Sequence, residues 1–161
     1  MKEHKREASL CQVQLSLITG LALSLLLLVT PAFSEVVSEQ SEPLGFDFRE
    51  LTQSKRMPPE HFEAIGHFTY LYFKNIRISQ TSDYVISSTG QFVVYSDGET
   101  GHVKVFYPST KISMILEAYV DGNQAPYLYE EIGLGRIKAT YPNNVQKVFD
   151  VALVPPQETA L

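Results

Sequence analysis

From Thr69 onward, apolar and polar positions alternate with a period of two. Between Arg136 and Tyr141, Arg136, Lys138 and Thr140 share one side, and Ile137, Ala139 and Tyr141 the other. Between Ile112 and Val120, Ile112, Met114, Leu116, Ala118 and Val120 make an apolar side opposite Ser113, Ile115, Glu117 and Tyr119. Such alternation places one face of a strand on a core and the other in water. It predicts strands over 69–78, 84–86, 92–95, 103–107, 112–120, 136–141 and 145–154. All are rich in Val, Ile, Tyr and Phe, which suit a pleated, half-buried surface. The spacers are turn chemistry: Ser87-Ser88-Thr89-Gly90, Asp97-Gly98-Glu99-Thr100-Gly101, Pro108-Ser109, Asp121-Gly122-Asn123 and Pro142-Asn143-Asn144. Pro155-Pro156 closes the last strand, because proline donates nothing to a ladder. The pattern predicts a mainly β fold: a single antiparallel β-sandwich or open curved barrel of about seven to eight strands.

One short N-terminal helix precedes the strands in this reading, over 58–65. Pro58-Pro59-Glu60 suits a helix start through its fixed φ and its charge, and Gly66 suits a C-terminal cap. Phe62 and Ile65, three apart, share a face. Farther upstream the pattern changes kind. Met1–Gln14 carries Lys2, Lys5 and Arg6, and 15–29 (LSLITGLALSLLLLV) holds no charge. Thr30-Pro31-Ala32-Phe33-Ser34 then ends in small residues. A basic start, an apolar run of about 7–15 residues and a small-residue exit describe a secretory signal, cut after Ser34. The alternative is an uncleaved anchor, but a spanning helix takes about 20 apolar residues and Pro31 interrupts this run. Cys11 precedes the apolar run, where a lipoprotein signal does not place its cysteine. The domain reading is therefore 1–34 signal peptide, 35–48 flexible acidic tether, and 49–161 all-β domain.

Composition narrows the function classes. The chain has 161 residues, a formal charge of −5, one Cys and no Trp. Cleavage removes Lys2, Lys5, Arg6, Glu3 and Glu7, leaving ten basic against sixteen acidic residues and a charge of −6. An acidic domain is a poor match for nucleic acid, whose phosphates call for a basic face. Removing Cys11 leaves a disulfide-free chain with no thiolate ligand. A chain of this size buries enough surface to fold without either. The expected compartment is the periplasm, with the extracellular space second and an N-terminal membrane anchor third. Membrane contact is expected only through an uncleaved signal.

Motifs for catalysis are sparse. His61 and His67 lie six apart across a predicted cap, and His102 sits at a strand start, which matches no zinc spacing. Asp97–Gly101 lacks the alternating ligands and distal Glu of a calcium loop and reads as a hairpin turn. Glu130 and Glu131 are adjacent, so on a strand they point apart rather than forming a catalytic pair. Gly133-Leu134-Gly135 is too short to cradle a phosphate, and no G-x-S-x-G or S-x-x-K occurs. The reading assigns no catalytic residue, no metal and no cofactor. A hydrolase whose site is invisible in sequence is the last alternative.

The aromatic stock carries the binding hypothesis. Tyr70, Tyr72, Tyr95, Tyr107, Tyr119, Tyr127 and Tyr129 fall in or beside strands and are the candidate binding residues. Tyrosine is enriched at interfaces, although aromatics also favour strands for packing alone. The segment Ile78–Gly122 orders a polar turn, Ser-Thr-Gly, a strand, a strand ending in Tyr-Pro, a further strand and Asp-Gly. In that order it resembles periplasmic lipoprotein-carrier proteins. The resemblance spans about a third of the chain beyond Ser34. It implies a short helix followed by a strongly curved antiparallel sheet, and it carries no site residue across. Two partners are therefore expected: an envelope protein docked on strand edges or a Tyr-rich surface, or a lipid or other apolar ligand held in a curved sheet.

Overall fold

Valines, isoleucines and aromatics between short turns produce a chain of antiparallel hairpins. The computed structural model describes residues 36–56, 65–120 and 124–156. β1 (Val36–Gly45), β2 (Phe48–Arg56), β3 (Ile65–Phe73) and β4 (Ile76–Gln80) form a first sheet in that order. β5 (Tyr84–Ile86), β6 (Val93–Ser96), β7 (Val103–Tyr107) and β8 (Ile112–Glu117) form a second. β9 (Leu128–Gly133), β10 (Arg136–Thr140) and β11 (Gln146–Asp150) form a third, ordered β11-β10-β9, with a 3-10 turn at Pro142–Asn144. Every ladder is antiparallel and joins strands adjacent in sequence. The described residues are thus mainly β, with eleven strands against the seven to eight expected.

The strands in excess come from places where alternation is silent. Residues 36–45, expected within a flexible tether, are strand β1, paired with β2 from Val36↔Lys55 to Gly45↔Phe48. β1 is exposed on both faces along almost its whole length, so its sequence has no apolar side to betray it. It is held by its backbone ladder, and Pro43 is tolerated because β1 is an edge. The stretch 69–78, expected as one strand, turns at Lys74-Asn75 into β3 and β4, with Lys74 at φ 52. That turn contains no glycine to announce it. β9 pairs with β10 through Glu130↔Lys138 and Glu131↔Ile137, and its acids mask the apolar period. The expected signal 1–34 and the helix over 58–65 lie outside the described residues, apart from Ile65, which opens β3. Gly66 is a strand residue opposite Lys55, not a helix cap.

Two cores share the second sheet. Val93 and Tyr95 of β6 and Phe106 of β7 pack with Phe48, Leu71 and Phe73 of the first sheet. Val94 of β6, together with Val103, Val105 and Tyr107 of β7, packs with Tyr129, Ile137, Ala139 and Val151. Successive side chains on a strand point to opposite faces, so β6 and β7 feed both cores at once. All four residues of β6 are buried as a result. Each large apolar side chain so enclosed contributes about 1.5–3 kcal/mol relative to exposure.

The apolar side expected for 112–120 is a correction. Ile112 and Met114 are 47% and 38% exposed, and Ile115 on the opposite face is 54% exposed. Only Leu116 packs against a core. β8 is the last strand of its sheet, and it meets the third sheet at its far end, where Glu117 bonds Lys147 of β11. Residues 118–120 lie beyond the strand.

The turn between β6 and β7 closes against β4 without clearance. A Cβ at Gly98 would stand 2.1 Å from the carbonyl oxygen of Gln80, a backbone atom that cannot swing aside. Gly98→Ala is expected to destabilise the fold by about 1–3 kcal/mol, read from urea unfolding followed by circular dichroism. Wild-type stability in this variant would disprove the close approach.

Candidate functional site

Among the described residues, the most enclosed charge is Asp97, and it is fully occupied by structure. Asp97 is 7% exposed and closes the β6–β7 turn. Its Oδ1 accepts from Ser79 Oγ at 2.9 Å and from the Glu99 N–H at 3.3 Å. Its Oδ2 accepts from Thr100 Oγ1 at 2.7 Å and from the Lys104 ammonium. Burial alone would raise its pKa, but the bonds from Lys104, Thr100, Ser79 and Glu99 outweigh it and bring the carboxyl down to about 2. With four donors satisfied, this group is a clamp between β4, β6 and β7. The turn is a hairpin as its sequence implies, with Gly101 N–H bonded to the Asp97 carbonyl at 2.7 Å.

The seven candidate tyrosines do not converge. Tyr95, Tyr107 and Tyr129 lie inside the two cores. Tyr129 and Ser96 share a hydroxyl–hydroxyl bond of 2.8 Å, and Tyr95 donates to Ser113 Oγ at 3.2 Å. Burial pushes all three hydroxyls up from their ordinary pKa, which keeps them neutral. Tyr70 and Tyr72 occupy the other face of the first sheet. Arg77 lies over Tyr70 at 5.6 Å and Arg49 over Tyr72 at 5.1 Å, so each ring already holds a cation. Tyr119 and Tyr127 are exposed, at 43% and 51%.

What converges instead is a polar cleft of about 460 Å³ at the end of β8. Glu117 supplies its carboxylate, Tyr141 and Lys147 its donors, and Gln124 and Asn143 line it. Tyr141 donates to Glu117 Oε2 at 2.5 Å and Lys147 to Oε1 at 2.5 Å, while Lys147 also lies 5.0 Å from the Tyr141 ring centroid. Burial would raise the Glu117 pKa, yet the bonds from Lys147 and Tyr141 bring it below its ordinary value. Glu117 is therefore a fixed anion at neutral pH, aimed by two donors. The backbone of the cleft wall is unusual too, with Asn143 and Asn144 both left-handed at φ 69 and 59. Sequence reading had no handle on this site. Glu117, Tyr141 and Lys147 come from three separate segments, and only the packing of the end of β8 against β11 and the loop before it unites them.

Glu117 ends β8, so the cleft lies beyond exposed Ile112 and Met114 on one face of the strand and Ile115 on the other. A second, apolar cleft of about 390 Å³ lies among turns, lined by Gly90, Pro108, Leu153, Val154 and Pro155. Beside it Phe46 is 56% exposed and left-handed at φ 50, with its ring pressed on Gly90. His67 bonds Ser54 at 2.9 Å, and His102 accepts the Tyr119 N–H at 2.8 Å. Among the described residues, no three His, Cys, Asp or Glu are grouped to hold a metal ion.

The clamp has a pH signature. Asp97 ionises near 2 when folded and near 3.8 when free, so its stabilisation is complete above about pH 4 and is lost as pH falls through about 2. The stability difference between wild type and Asp97→Asn, measured in urea, is expected to be on the order of 2 kcal/mol at pH 7 and to shrink across that window. A difference that ignores pH would refute the clamp. Comparison with known proteins adds no name to this geometry: no family model, no curated protein and no solved structure matches the chain.

Proposed function

We propose that this chain is an exported β-domain protein that acts by binding, docking an extended segment of an envelope protein on the free edge of β8. One observation carries the reading: β8 ends its sheet and exposes Ile112, Met114 and Ile115 without an intervening charge. Edge strands offer unpaired N–H and C=O groups, and proteins that stay apart usually guard them with lysine, proline or a covering loop. A guest strand gains main-chain hydrogen bonds there, and alternate side-chain positions select it. The fixed Glu117 anion at the strand's end would choose a guest with a basic residue in register. Export to the periplasm rests on the charge-free run 15–29 with its small-residue exit. A layered sandwich is favoured over a barrel by the alternation of β6 and β7 side chains into two separate cores.

Ile115→Lys places a charge on the edge at an exposed position, so folding stability is expected to change by less than about 0.5 kcal/mol. Capture of a partner from envelope extracts is expected to fail with Ile115→Lys and to persist with Val37→Lys on the β1 edge. Equal capture by both variants would sink the reading.

A second reading, carriage of a lipid or other apolar ligand, is favoured by the apolar cleft beside Phe46. A left-handed phenylalanine is costly, and such strain is retained mainly at working sites. Native mass spectrometry of protein purified from its own envelope is expected, on this reading, to show a bound lipid that Phe46→Asn, compatible with the same turn, releases. A bare mass from wild type counts against it.

A further inference from the structure

The partner that best fits the β8 edge is a second copy of the same edge, and we propose that the protein forms a two-fold dimer by antiparallel β8–β8 pairing centred on Met114. The inference rests on the binding role of β8 given above. Residues 111–117 read Lys-Ile-Ser-Met-Ile-Leu-Glu. Run antiparallel against itself about Met114, β8 sets Ile112 opposite Leu116 twice and brings Lys111, the left-handed turn residue just before the strand, alongside Glu117 twice. Ser113 then faces Ile115, and Met114 faces itself. Residues directly opposite in an antiparallel pair point to the same side, so Ile112, Met114 and Leu116 of both copies form one continuous apolar face. A two-fold interface must be self-complementary in this way, residue i meeting j and j meeting i.

Charge supports this occupant over an arbitrary strand. Lys111 is exposed and takes part in none of the ion pairs among the described residues. Glu117 is held ionised at the rim of the polar cleft, with 26% of its side chain still exposed. The pairing brings Lys111 of each copy beside Glu117 of the other, whose carboxylate already accepts from Tyr141 and Lys147 and would gain a third donor. Alternative registers lose this: shifted by one residue, Lys111 meets Leu116 and Glu117 meets Thr110. The exposed Ile112 and Met114, which packing within one copy leaves in water, are then covered together.

Sedimentation velocity across about 1 µM to 1 mM purified protein tests the idea. A concentration-dependent dimer is expected, weakened at least about tenfold by Lys111→Glu, which sets one acid against another at two places in the dimer, and kept by Lys111→Arg. Register is read by cross-linking in a Cys11→Ser background. Met114→Cys is expected to form a disulfide-linked dimer, because its two copies stand face to face within about 4.4–5.5 Å at Cα. Ile115→Cys, placed opposite Ser113, is not. A monomer at every concentration, or cross-linking by Ile115→Cys but not by Met114→Cys, overturns the proposal. A monomer that still loses an envelope partner through Ile115→Lys overturns self-pairing while leaving the docking role of β8 intact.

Discussion

β6 and β7 bury both of their faces, so every polar group they carry must find its partner inside the protein. An unpaired buried polar group costs about 1–3 kcal/mol, a sizeable fraction of the stability of a domain this size. The turn that joins the two strands meets this constraint with one carboxylate. Asp97 takes four donors, one of which is the Lys104 ammonium, so the two charges that burial would penalise cancel each other. Ser96 is answered by Tyr129 and by the Pro126 carbonyl. The same requirement holds the turn against β4, where only a glycine fits beside Gln80. Placement of the first and third sheets follows, because each packs on a face of strands whose ends are already pinned.

Tyrosine hydroxyls serve the same need elsewhere. Tyr84 reaches from β5 to Glu50 on β2 at 2.8 Å, and Tyr141 reaches from the end of β10 to Glu117 on β8. Each bond ties two sheets together at a point where side chains meet water only partly. The absence of Trp from the chain leaves these phenols as the large groups with a polar tip. Their work is internal, and the docking surface proposed on β8 falls to residues of little chemical distinction: two isoleucines, a methionine, a lysine and a glutamate.

Much of the second sheet could be read from alternation, because its strands are short and apolar and Gly or Pro lies in the turns between them. β5 and β7 begin and end where the pattern places them. β1 was hidden because an edge exposed on both faces has no reason to alternate. β3 and β4 merged because Lys74 adopts a left-handed turn more usual for Gly or Asn. The apolar side of β8 misled for the opposite reason: its period is that of a buried strand, and the sequence pattern cannot say that Ile112 and Met114 stay exposed on the last strand of their sheet. The Glu117 cleft was out of reach, since residues at 117, 141 and 147 become neighbours only through packing between sheets.

The nearest-neighbour order of the ladders bears on how the chain reaches this state. Each sheet is a meander, so every register can form as soon as two consecutive segments are available, and no ladder waits for a distant partner. Loop closure between consecutive strands is short and entropically cheap, which favours rapid folding for an all-β chain. Only the stacking of sheet on sheet requires distant segments to meet. A chain delivered from its N-terminal end can therefore acquire its pairings one hairpin at a time, and among the described strands the edge of β8 away from β7 gains no ladder partner at any stage.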